Sequence, residues 1–209
     1  MNTIEVRGLA KYFGRSSALR SLDLVAGAGE FISLFGRNGA GKTTFLRILA
    51  GLCRPSAGTV RIQPAGSAGT GAVRGSIGYL SHSTSLYLDL TALENLRFYA
   101  RLMGLSAGDE ALEKRIADAG LAGREREPVR NYSRGMQQKV AIARWLTFPP
   151  KVFIMSEPTR GMDVGAKSEV LGTLRNFRNE GYGVLVASSE PETVLAVSDR
   201  ILVMSRGRI

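Results

Sequence analysis

Residues Gly36-Arg37-Asn38-Gly39-Ala40-Gly41-Lys42-Thr43 fit the pattern G-x-x-x-x-G-K-[ST]. The mostly apolar Phe31–Phe35 before them reads as a short strand. The residues after them, through Leu49, read as a helix with Ile48, Leu49 and Leu52 on its apolar side, Gly51 at its end and Pro55 beyond. Strand, glycine loop, helix is the order this motif requires. Glycines let the backbone turn tightly, so that successive N–H groups face phosphate oxygens, and the helix N-terminus adds its positive end. In that frame Lys42 is expected to reach the β- and γ-phosphates of a nucleotide. The Thr43 hydroxyl is expected to hold Mg²⁺, and Thr44 to contact a nearer phosphate.

The rest of the sequence supplies an α/β frame. Thr3–Val6 and Leu22–Val25 read as strands, as does Ile77–Leu80. Val152–Met155, Val184–Ala187 and Ile201–Met204 are short apolar runs of the kind that is buried on both faces of a parallel sheet. Thr91 to about Ala119 is patterned as a helix, with Leu93, Leu96, Phe98 and Leu102 for packing. Tyr132–Leu146 is patterned as another, stopped by Pro149 and Pro150. Ala65–Gly75, rich in Gly, Ala and Ser, is expected to be a turn or hairpin tip. The stretch from about 85 to 148 then reads as a helical lobe inserted into an α/β core.

Composition narrows the chemistry. With 28 basic and 18 acidic residues among 209, the formal charge is +10, a balance that suits polyanionic partners without choosing among them. One cysteine, Cys53, and one histidine, His82, exclude a disulfide framework, a thiolate cluster and a multi-histidine zinc site. No apolar run approaches the roughly 18 residues of a spanning helix. The N-terminus lacks the apolar stretch of a signal peptide, so a soluble chain is expected. No clustered basic helix or nucleic-acid motif is present, and no nucleic-acid partner is expected.

Further segments, by order and spacing, resemble the nucleotide-binding subunit of an ABC transporter across essentially the whole chain. Tyr132-Ser133-Arg134-Gly135-Met136-Gln137-Gln138 falls where that family has its signature, usually Leu-Ser-Gly-Gly-Gln. Val152–Pro158 falls at the Walker B strand, Gly161-Met162-Asp163 at the D-loop, Gly78–His82 at the Q-loop and Ser188-Ser189-Glu190 at the switch loop. The resemblance implies a P-loop NTPase (RecA-like) α/β core with an N-terminal antiparallel β part and an inserted helical lobe. It implies a single domain over 1–209, with 1–84 and 149–209 forming β part and core and about 85–148 the lobe. It also implies ATP and Mg²⁺ as ligands, a second ATP-binding subunit and transmembrane permease subunits as partners, and a place at the cytoplasmic face of the inner membrane. Phe13, beside Tyr12, takes the place of the aromatic that stacks on adenine. Glu157 takes that of the residue that polarises the attacking water. Ser133, Arg134, Gly135 and Met136 would face the ATP held by the other subunit.

Three departures fall around the metal and the γ-phosphate. Ser156 stands where the family has the Walker B aspartate, and brings no negative charge to a Mg²⁺ shell. His82 replaces the Q-loop glutamine; imidazole is a poor ligand for a hard cation. Ser189 replaces the switch histidine and is shorter and uncharged. ATP binding is therefore expected, with slow turnover. The alternative is a non-hydrolytic subunit that lends its signature to a competent partner. The segment Tyr79–Ala100 and the YSRGMQQK stretch are similar to the ATP-binding subunit of the haem exporter of cytochrome c maturation. The switch region looks more like sugar-importer ATPases.

Overall fold

The computed structural model describes residues 3–27, 29–63, 77–81, 83–147 and 150–209. Backbone contacts divide the chain into two units. The first comprises Met1–His82, Pro150–Pro158 and Leu171–Ile209; the second comprises Ser83–Pro149 and Thr159–Val170.

In the first unit, β1 (Thr3–Phe13), β2 (Ser16–Ala26) and β4 (Ala57–Gln63) form an antiparallel sheet in the order β2-β1-β4. Both leading strands run well beyond Thr3–Val6 and Leu22–Val25. Register shifts after Val6, where Gly8 takes φ 56°, break the alternation that would have revealed the length of β1.

The second sheet is parallel, in the order β5-β6-β7-β3-β8: β5 (Ile77–Leu80), β6 (Val152–Ser156), β7 (Gly183–Ser188), β3 (Phe31–Phe35) and β8 (Arg200–Val203). Every residue of β6 and β7 is buried, as expected of strands covered on both faces. Phe153 stacks on Phe177 of α5 (Val164–Asn179), with ring centroids 4.2 Å apart. Leu9, Leu19, Ile32, Leu34, Phe45, Leu46 and Ile154 share one core between the two sheets and α1 (Lys42–Leu49). α6 (Pro191–Val197) follows β7.

The second unit packs Leu93, Leu96, Leu112, Ile116, Tyr132, Val140 and Ala143 into a separate core. The stretch expected to be helical from Thr91 to about Ala119 is interrupted. α2 spans Ala92–Leu102 and α3 spans Asp109–Ile116, followed by a π-turn over Ala117–Leu121. Gly104 turns the chain between the two helices at φ 68°. α4 (Arg134–Thr147) starts two residues later than its sequence pattern, because Tyr132 is extended and the Ser133 hydroxyl accepts the Met136 N–H at 3.3 Å. Ala65–Gly75 and His82 lie outside the described residues.

Candidate nucleotide site

Parallel pairing fixes the site before any side chain is placed. Phe35 is in register with Ser188 across β3 and β7, and Ala187 with Ser156 across β7 and β6. The C-terminal ends of three adjacent strands therefore open side by side, which is where open α/β sheets bind ligands. The loop after β3 runs from Gly36 to Gly41. Two of its glycines are required by close approach. A Cβ on Gly36 would lie 2.3 Å from the Met204 carbonyl oxygen, and one on Gly41, at φ 110°, would lie 2.7 Å from that of Ala18. Arg37, Asn38 and Gly39 are exposed and Ala40 is buried. The Ala40 carbonyl accepts the Gly207 N–H at 2.9 Å, and the Gly207 carbonyl accepts the Arg20 N–H at 2.7 Å. Gly207 thus clamps the loop, a role that no motif in the sequence announces.

α1 starts without a side-chain cap and with no acid in its first turn, so its leading N–H groups and positive end are left for an anion. Lys42 is 5% exposed. Its ammonium donates to the Gly36 carbonyl at 2.5 Å and lies 3.4 Å from Glu157 Oε1. Glu157 does not end β6 but sits one residue past it, 8% exposed and at φ 53°, a strained conformation for a side-chain-bearing residue. Its N–H donates to the Ala187 carbonyl at 2.7 Å. Its Oε2 accepts the Ser189 N–H at 3.0 Å and the Ser189 hydroxyl at 3.2 Å. Such strain persists where neighbouring bonds hold it, and these do.

Thr43 Oγ1 and Ser156 Oγ lie 3.3 Å apart. Among the described residues no group of three or more His, Cys, Asp or Glu side chains could hold a metal ion. Two neutral hydroxyls are hard oxygen donors with no charge. They fit a Mg²⁺ whose remaining ligands are phosphate oxygens and water, not a free-standing metal centre. Thr44 is half-buried on the next position of α1.

Phe13 is 55% exposed and Tyr12 53%, so neither is a core residue. The Lys11 ammonium lies 4.9 Å from the centre of the Phe13 ring.

The second unit holds the other site residues. Ser133 and Arg134 are exposed at the start of α4, while Met136 is half-buried against that unit's apolar core. Gly135 packs closely: a Cβ there would lie 3.0 Å from the Ala166 Cβ, so that neighbour would have to give by a few tenths of an ångström. The Arg134 Nε donates to the Arg160 carbonyl at 3.1 Å. Asp163 accepts the Ala166 N–H at 2.9 Å, and this bond holds its carboxyl below the usual carboxylate range.

The ABC transporter family matches residues 19–160. The chain is 33% identical to the sulfate/thiosulfate import ATP-binding protein CysA of Rhodopseudomonas palustris, over 99% of this chain and 62% of that protein. It is also 33% identical to the L-cystine transport system ATP-binding protein TcyN of Escherichia coli, over 100% of this chain and 89% of that protein. It spans only 55% of another relative, the spermidine/putrescine import ATP-binding protein PotA of Rubrobacter xylanophilus. The dimeric structure of MJ0796, a bacterial ABC transporter cassette, superposes with a TM-score of 0.85 at 26% identity, covering 99% of this chain and 96% of that one. The chain belongs to the ABC transporter family and has the architecture of its ATP-binding domain.

Proposed function

We propose that this chain binds ATP with Mg²⁺ and hydrolyses it as the ATP-binding subunit of a membrane transporter. The observation that carries the reading is the meeting of Lys42 and Glu157, both nearly inaccessible, at 3.4 Å beside the glycine loop. Backbone N–H groups from Gly36 to Gly41 and the uncapped start of α1 would take the phosphates, with Lys42 on the β- and γ-groups and Thr44 on a nearer one. Thr43 and Ser156 would hold Mg²⁺, which neutralises charge on the transferred phosphate. Glu157 orients the attacking water, and the exposed ring of Phe13 offers a face for adenine. Residues 1–209 serve as one domain, with about 85–148 as helical lobe, joined by Thr159–Val170, and 1–84 and the rest of 149–209 as β part and core.

Ser133, Arg134, Gly135 and Met136 act toward the ATP of a second subunit, Asp163 serves as the D-loop residue, and His82 serves the coupling to transmembrane permease subunits at the cytoplasmic face of the inner membrane. The import ATP-binding proteins among the relatives and the dimeric form of MJ0796 support these partners. Purified chain is expected to turn over ATP only with Mg²⁺, and Glu157→Gln to cut the rate at least about 100-fold. A variant as fast as the parent removes Glu157 from the chemistry.

One observation favours a second reading. The Thr43–Ser156 pair brings no carboxylate to the metal, as a non-hydrolytic subunit paired with a competent ATPase would allow. Tight ATP binding with no turnover in the same assay selects that reading. For the cargo, the Tyr79–Ala100 segment supports a haem exporter of cytochrome c biogenesis, whereas the relatives' names specify other cargoes. Cytochrome c maturation that fails on loss of this chain and returns with it supports haem; unaffected maturation removes it.

A further inference from the structure

We infer that Ser189 is a positioning residue for the Glu157 carboxylate and does not contact the γ-phosphate. The inference rests on the reading of Glu157 as the group that orients water. A serine hydroxyl has one proton to donate. Here Ser189 Oγ lies 3.2 Å from Glu157 Oε2, and its N–H reaches the same oxygen at 3.0 Å. A hydroxyl that gives its proton to the carboxylate has none left for a phosphate oxygen.

Glu157 is thereby tied twice to the end of β7, by its own N–H to the Ala187 carbonyl at 2.7 Å and by its side chain to Ser189. The turn that presents Ser189 is itself fixed, because the Glu190 N–H donates to Ser188 Oγ at 3.0 Å. An ionised carboxylate has about four acceptor directions. Ser189 takes two on Oε2 and Lys42 takes one on Oε1, at 3.4 Å. The direction that remains is on Oε1, beside Lys42, and that is where a water would be held. Ser189 selects it by occupying the other oxygen.

The test uses Ser189→Ala, which keeps the N–H and removes only the hydroxyl, with Ser189→Thr as the conservative variant. The expected result is a kcat about tenfold lower in Ser189→Ala, the size of one lost bond to a charged group. KM for ATP and the affinities for ATP and ADP should stay within about twofold. Ser189→Thr should recover most of the loss. A fall in ATP affinity with ADP affinity and kcat preserved overturns the inference, because it places the hydroxyl on the γ-phosphate. The contact is read independently of turnover from the Ser189 amide proton by NMR. Glu157→Gln should move it upfield as the charge-assisted bond weakens, and an unmoved resonance overturns the inference. If the parent chain turns over no ATP, the catalytic reading of Glu157 falls, and the amide shift alone decides whether Ser189 holds that side chain.

Discussion

At Ser156 the chain has given up charge next to a site that handles charge, and the surroundings state what restoring it would cost. Ser156 is 2% exposed and touches Thr43, at the end of the strand that leads into Glu157. Ser156→Asp would set a second carboxylate beside Glu157, which already faces Lys42. An unpaired buried carboxylate destabilises a fold, while a metal ion reverses the sign. Ser156→Asp should therefore lower the melting temperature without nucleotide. With ATP present, it should reduce the Mg²⁺ needed for half-maximal turnover about tenfold. Titration of Mg²⁺ against the rate and a thermal melt check the two arms; unchanged Mg²⁺ dependence means that residue 156 does not face the metal. At this scale the sequence motif disclosed the identity of Gly36, Gly41, Lys42 and Thr43, because their types are dictated by backbone approach and phosphate charge. It did not disclose the positive φ of Glu157 or its two bonds to Ser189. Those depend on which residue of β7 ends level with β6, a matter of register that no local pattern encodes.

Secondary structure was easiest to read where one periodicity ran uninterrupted. The runs Val152–Met155 and Val184–Ala187 lie inside β6 and β7, since continuous burial leaves a continuous apolar signature, whereas Ile201–Met204, read the same way, overlaps β8 at the sheet edge, where Ile201 and Val203 are exposed. The Thr91–Ala119 pattern misled on two counts: Gly104 turns the chain between α2 and α3, and Phe98 and Leu102, expected to pack, are exposed, while Leu112 and Ile116 of α3 enter the core beside Leu93 and Leu96. The start of α2 is better specified. Thr91 Oγ1 accepts the Glu94 N–H at 3.1 Å, and the Glu94 carboxylate accepts the Thr91 N–H at 2.8 Å and its hydroxyl at 2.9 Å. These bonds from Thr91 hold the Glu94 carboxyl below its ordinary value. A carboxylate with a depressed folded-state pKa adds stability above its unfolded value, and that stability is lost as pH falls through the folded one. Thr91→Ala should cost about 1 kcal/mol at neutral pH. The gap from the parent should narrow below about pH 4 without closing, because the Glu94 N–H cap is lost at every pH. Denaturant melts at neutral and acid pH measure both gaps; equal gaps would mean that Glu94 is not charged through this cap.

Across the whole molecule, the chain returns to the second unit after leaving it. Thr159–Val170 joins α4 there, through Gly135 against Ala166, Arg134 on the Arg160 carbonyl and the ion pair of Lys139 with Glu169. That junction was illegible in the sequence, where the segment simply follows β6. Charge acts at the same scale. Each copy carries a formal +10, so two copies brought together by ATP repel one another, and the nucleotide's own negative charge offsets only part of this. The repulsion reaches about 30 Å at 0.01 M salt and about 8 Å at 0.15 M. Glu157→Gln with saturating ATP, which retains nucleotide without consuming it, should therefore form more dimer at the higher salt. Light scattering should give twice the monomer mass with ATP and the monomer mass with ADP. A dimer that weakens as salt rises would place opposite charges across the junction, so that attraction, not nucleotide bridging against repulsion, holds the pair. A monomer under all conditions would remove ATP-driven pairing of two copies and leave a different chain as the second subunit.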